Sequence, residues 1–171
     1  MSNHVPLWYA TINDFVQSFG INETSQLLCD EEDLITSSNF KYFLNKDLAD
    51  LSEEELQALN KGKARLEESI NQVSLLMNSY IANVLSLPIS NTILKNTPLK
   101  TCCLELSRCH LMDDDDNSSE ISSTRCKRWL SWLKDISTGK VQLSTNNSSE
   151  SINNKVRQGQ SKSKINWDTY P

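Results

Sequence analysis

Between residues 63 and 87 the apolar positions Leu66, Ile70, Val73, Met77, Tyr80, Val84 and Leu87 step by 4, 3, 4, 3, 4 and 3. That spacing makes one continuous apolar stripe on a helix. Ser52-Glu-Glu-Glu55 is a capping box, and Leu51 can staple to Leu56, so a helix starts here. Gly62 is a candidate break, which gives a short helix over 53–60 and a long one from Lys63. Pro88 ends the long one, and at 1.5 Å per residue it spans about 37 Å.

The same grammar marks the flanks. Thr11-Ile-Asn-Asp14 is a second capping box, and it opens a helix that Gly20 stops, with Ile12, Phe15, Val16 and Phe19 on its apolar face. Pro6 to Tyr9 reads as an extended arm. Leu27 and Leu28 predict a short helix over about 23–29, residues 30–39 read as loop, and Phe40, Tyr42, Phe43 and Leu44 form a local apolar cluster. Thr97-Pro98 opens a further helix with Leu99, Cys102, Cys103, Leu106 and Cys109 inward. A last helix follows Ser118–Thr124. It turns Cys126, Trp129, Leu130, Leu133 and Ile136 inward and closes at Gly139.

Composition sharpens this into an all-α class: a small helical bundle built on one long helix, with an extended N-terminal arm and a polar C-terminal arm. Only 4 Gly and 4 Pro are present, too few for an all-β chain that turns every 8–12 residues or so. Ser (24), Asn (17) and an apolar share of 37% are thin cover for a packed core of this length. The deficit is concentrated at the end, where Ser and Asn make up 11 of the 28 residues of 144–171. Such a segment cannot offset an ordering entropy of ~1–2 kcal/mol per residue by itself. The expected division is therefore a helical body over 1–143 and a polar arm over 144–171 that is ordered only on assembly.

Charge divides the same way. The body holds 13 bases and 20 acids, a net −7, while the arm holds four bases and two acids, a net +2. An overall −5 removes the simplest nucleic-acid reading, a basic protein held by phosphates. Met1 to Ala10 shows no secretory pattern, and no segment approaches the ~20 apolar residues of a bilayer span. The expected setting is a cytoplasm, with the five cysteines reduced.

Candidate chemistry is sparse. Cys102 and Cys109, or Cys103 and His110, lie seven residues apart on one helix, about 10.5 Å. Zinc thiolates sit ~2.3 Å from the metal, so this spacing serves neither a zinc site nor a disulfide within that helix. Buried small thiols are the plain reading. His110 adjoins Cys109 without facing it, which leaves no nucleophile–base pair. The run Asp113, Asp114, Asp115 and Asp116 lacks the spaced ligands and central Gly of a calcium loop. A solvated acidic loop is its plain reading, and an anionic patch facing DNA or a basic partner is the functional one. Arg125 to Arg128 before Trp129 and Trp132 reads as a solvated helix face backed by core aromatics. No catalytic, metal or cofactor site emerges, and the expectation is that the protein is not an enzyme.

Three segments together carry a family resemblance: Tyr9-Ala-Thr11 with Asp14 and Phe19-Gly20; Ser79-Tyr80-Ile81 with Leu87-Pro88-Ile89; and Trp132-Leu-Lys-Asp-Ile136 with Gly139-Lys-Val141. In this order and spacing the chain resembles the neck proteins of Mu-like bacteriophages and prophages over about residues 8–143, apart from an apparent insertion near 30–52. It departs where the family often has Arg-Tyr, with Val84-Leu85 before the Leu-Pro step and Arg125-Cys126 ahead of the Trp-Leu segment.

The resemblance implies a structural virion protein of the neck, assembled in the host cytoplasm. This would be a head–tail connector or adaptor forming a homo-oligomeric ring between portal and tail-side neck proteins. DNA would pass through without sequence-specific binding, and no membrane or cofactor is implied. Interface candidates are Trp8, Tyr9, Leu76 and Ile81 on the body, and Trp167 and Tyr170 in the arm; Asp113 to Asp116 are the candidate lumen- or partner-facing patch. Two alternatives stay open: a small helical prophage-encoded interaction or regulatory protein, and a head-completion or tail-side component of the same virion.

Overall fold

The computed structural model describes residues 8–29, 34–113 and 120–143. Among these residues the chain is all-α, with seven helices: α1 Ile12–Phe19, α2 Ile21–Leu28, α3 Ser37–Leu44, α4 Glu53–Ile81, α5 Asn91–Asn96, α6 Leu99–Asp113 and α7 Glu120–Ser137. The expected polar arm with Trp167 and Tyr170, and Asp114 to Asp116, fall outside the described residues, as does the side chain of Asp113.

Three helices start on reciprocal capping boxes. Asp14 N–H donates to Thr11 Oγ1 at 3.2 Å, and Thr11 N–H donates back to Asp14 Oδ2 at 2.9 Å. Glu55 N–H donates to Ser52 Oγ at 3.2 Å, and Ser52 N–H donates to Glu55 Oε2 at 2.8 Å. The third box, Thr36 with Asn39, opens α3 inside the stretch expected to be loop. There Asn stands in the third helical position where Glu or Gln is the usual mark.

Helix α4 is the spine. Its 29 residues span about 43 Å. It runs through Gly62 without a break, because Gly62 is a contact point: a Cβ there would lie 2.7 Å from Ile35 Cδ1 and 3.4 Å from Leu28 Cβ. The glycine lets the α2–α3 segment press onto the helix backbone. The spine stops at Ile81, six residues short of Leu87. Leu85 N–H still donates to the Ile81 carbonyl at 2.9 Å, but Pro88 disfavours helical geometry in the residue before it. The last two positions of the expected stripe therefore leave the helix, and Val84 is exposed.

Helix α6 runs antiparallel along α4. Ser69 Oγ donates to the Ser107 carbonyl at 3.0 Å, Arg65 reaches the Leu111 carbonyl, and Ser74 Oγ lies 3.7 Å from Cys103 Sγ. Leu66, Ile70, Val73 and Met77 of α4 meet Leu99, Cys102, Cys103 and Leu106 of α6 and Leu133 and Ile136 of α7 in one buried core. The short helix α5 escapes a periodic reading because six residues are under two turns. It starts at Ser90, whose Oγ accepts from Ile93 N–H. Leu130, expected inward, lies at the surface, while Trp129 and Trp132 stack edge-on at 5.5 Å and pack against the core. Gly139 takes a positive φ of 74° and its N–H closes α7 on the Ile136 carbonyl.

The expectation that all five cysteines are reduced is overturned. Cys109 and Cys126 form a disulfide between α6 and α7, with Cα atoms 6.3 Å apart. Spacing along one helix bears only on partners within that helix. The bond joins two helices that the fold brings side by side, which no sequence spacing reports. Cys102 and Cys103 are buried thiols, as read from the sequence.

Candidate assembly surfaces

The N-terminal arm is pinned by polar contacts on α4. Tyr9 N–H approaches Ser74 Oγ at 3.5 Å, and its hydroxyl donates to Asn78 Oδ1 at 2.6 Å. Tyr9 is therefore core, 5% exposed, and burial pushes its phenol far above the ordinary value. Ile81 is fully buried as well. Both residues were candidates for contact with another subunit; the structure spends them inside this one. Ile81 escaped the stripe because it replaces Val84 and Leu87 at the spine's end, where the helix stops early.

Trp8 and Leu76 lie at the surface, at 42% and 41% exposure. Leu75, absent from the sequence reading, is the most exposed large apolar residue described, at 60%. It follows Leu66 by nine residues, about two and a half turns, and so points away from the core. A helical wheel drawn for the polar face, rather than the apolar one, would have found it. Leu75 and Leu76 thus form an apolar step on the outer side of the spine, next to the Gln72–Glu68 hydrogen bond of 2.8 Å.

Trp8 borders a second feature, a cleft of about 230 Å³ lined also by Ala10, Ile12, Leu44, Lys63, Glu67 and Ile70. Buried Ala10 and Ile70 contribute to its lining. Lys63 Nζ and Glu67 Oε1 pair at 3.7 Å, one turn apart on α4.

The ion pairs beside these surfaces hold helices together. Asp14 on α1 pairs with Lys100 on α6. Burial raises the Asp14 carboxyl, but hydrogen bonds from Lys100 and Thr11 outweigh it and hold the group below its ordinary value. Arg108 on α6 meets Glu23 on α2 as an ion pair without an aligned hydrogen bond, and its guanidinium lies 5.3 Å from the Phe19 ring centre. Burial pushes the Cys103 thiol up to about 11 and raises Cys102 further, so both stay protonated near neutrality. Among the described residues no group of three His, Cys, Asp or Glu side chains is placed to hold a metal ion. No described helix is long and apolar enough to cross a membrane.

Fold and surface together define a small all-α protein with an exposed apolar step on its spine and an aromatic-edged cleft. The chain belongs to the bacteriophage Mu Gp36 family, whose model matches residues 9–161. It is accordingly a phage protein of the Mu type. No curated protein and no solved structure gives a significant match.

Proposed function

We propose that the protein is a non-enzymatic structural component of the virion neck, a head–tail connector or adaptor. It forms a homo-oligomeric ring between the portal and the tail-side neck proteins, and DNA passes through it. The observation that carries this reading is the outward pair Leu75–Leu76 on the spine of a phage-family subunit. The two leucines offer adjoining apolar surface to a partner, and a ring supplies one, since each copy offers one patch to a different patch of the next. A net −7 over residues 1–143 suits a conduit for DNA, because like charge suppresses phosphate binding. In this reading Asp113 to Asp116 face the channel or a basic neighbour.

The Asp14–Lys100 and Glu23–Arg108 pairs join helices, which favours a scaffold over a reaction centre. The test is the mass of the purified chain, alone and mixed with the portal of its own phage. Closed rings, or stable association with portal, are expected. A chain that stays monomeric or dimeric at high concentration and ignores the portal would defeat the proposal and favour the regulator reading.

A further inference from the structure

The cleft beside Trp8 has the size and chemistry of a receptor for one aromatic side chain. Drug-sized ligands occupy ~300–1,000 Å³, and a cavity of ~150 Å³ admits benzene. At about 230 Å³ this cleft falls between the two and suits a single indole. Its walls, Ile12, Leu44 and Ile70, are apolar, and Trp8 offers a ring for edge-on or offset stacking. At the lining, the Glu67 carboxylate provides an acceptor of the kind an indole N–H needs when it leaves water.

The chain itself carries a suitable ligand. Trp167 and Tyr170 stand near the end of residues 144–171, where polar residues dominate. That segment is +2 and the rest of the chain is −7, so its long-range attraction is toward a body of this same kind. The 23 residues of 144–166 separate Leu143 from Trp167. Fully extended they reach about 80 Å, well beyond the ~43 Å of α4. An adjoining subunit is therefore within range.

We infer that Trp167 of one copy seats in the Trp8 cleft of the neighbouring copy, clasping the two together. The inference rests on the ring reading and names one of its contacts. Peptide and cleft are different surfaces, so the contact is head-to-tail, as a closed ring requires. A few anchors, Trp and Tyr prominent among them, seated in desolvated pockets usually carry most of such an interface's energy.

The test uses the full-length chain with Trp167 replaced by the photo-reactive p-benzoylphenylalanine, prepared in isotopically light and heavy forms and mixed before assembly. Irradiation and mass spectrometry should find cross-links between light and heavy copies at Trp8, Ile12, Leu44 or Ile70. Asn13→Trp, which introduces an indole at an exposed position of the cleft's lining, should lower their yield at least tenfold while leaving the helical circular dichroism unchanged. Cross-links confined to single copies, cross-links elsewhere, or none would each overturn the inference. If rings form while the cross-links miss the cleft, the clasp fails and the connector reading stands; if no assembly forms with or without portal, the connector reading fails on its own test.

Discussion

At the scale of single residues, polar groups in this protein act mostly as fasteners. Tyr9 is the clearest: its ring is buried, and its hydroxyl ends on Asn78 Oδ1 at 2.6 Å. Tyr9→Phe keeps the ring and removes the donor, and should cost about 1 kcal/mol of unfolding free energy by urea titration. Asp14 makes a pH prediction. Its folded value lies below the ordinary 3.8 because Lys100 and Thr11 hydrogen bonds overcome burial. A carboxyl lowered on folding adds stability above its unfolded value and loses it as pH falls through the folded one. Melting temperature should therefore drop on acidification below about 4, and Asp14→Asn should flatten that part of the profile. An unchanged profile in Asp14→Asn would remove the assignment. Cys102 and Cys103, buried and protonated, had their places in the core legible from periodicity alone. Tyr9 did not, because one aromatic in an arm carries no period.

At the scale of elements, the sequence announces helices through their boxes and stripes and conceals what depends on a second element. The long spine, α1, α6 and α7 were legible because each has a cap or a run of inward residues. Helix α3 was hidden by an Asn-based box, α5 by its length, and the continuity of α4 by Gly62. That glycine reads as a breaker until Ile35 and Leu28 are seen against it. Gly62→Ala gains helix propensity and displaces only the end of the Ile35 side chain, so its net effect should be small. Gly62→Val forces branched bulk into the same gap and should cost roughly 1–3 kcal/mol by overpacking, read from the denaturation midpoint. Between α6 and α7, the Cys109–Cys126 bond closes a loop of 17 residues in sequence separation. By loop entropy a closure of that size contributes about 3 kcal/mol, so Cys126→Ser should lose roughly that much stability under non-reducing conditions. A variant that melts with the parent in the absence of reductant would show that packing alone holds the two helices.

At the scale of the whole molecule, a body that buries its stripe well still leaves Leu75 and Leu76 in water. Substitutions at exposed positions away from special contacts usually change stability little, within ±0.5 kcal/mol or so. Gln is also among the better helix formers. The double change Leu75→Gln and Leu76→Gln should therefore leave the unfolding midpoint close to the parent's, with a loss of about 1 kcal/mol at most, since Leu76 is partly covered. Assembly should respond very differently. A ring repeats each contact at every junction, so a small loss per interface is multiplied around the circle and closed species disappear before single contacts are abolished. Sedimentation of the double variant beside the parent separates the two effects. Full folding with lost rings would identify the leucines as assembly surface, whereas intact rings would show that the outer side of the spine is ordinary surface and that subunit contacts lie elsewhere.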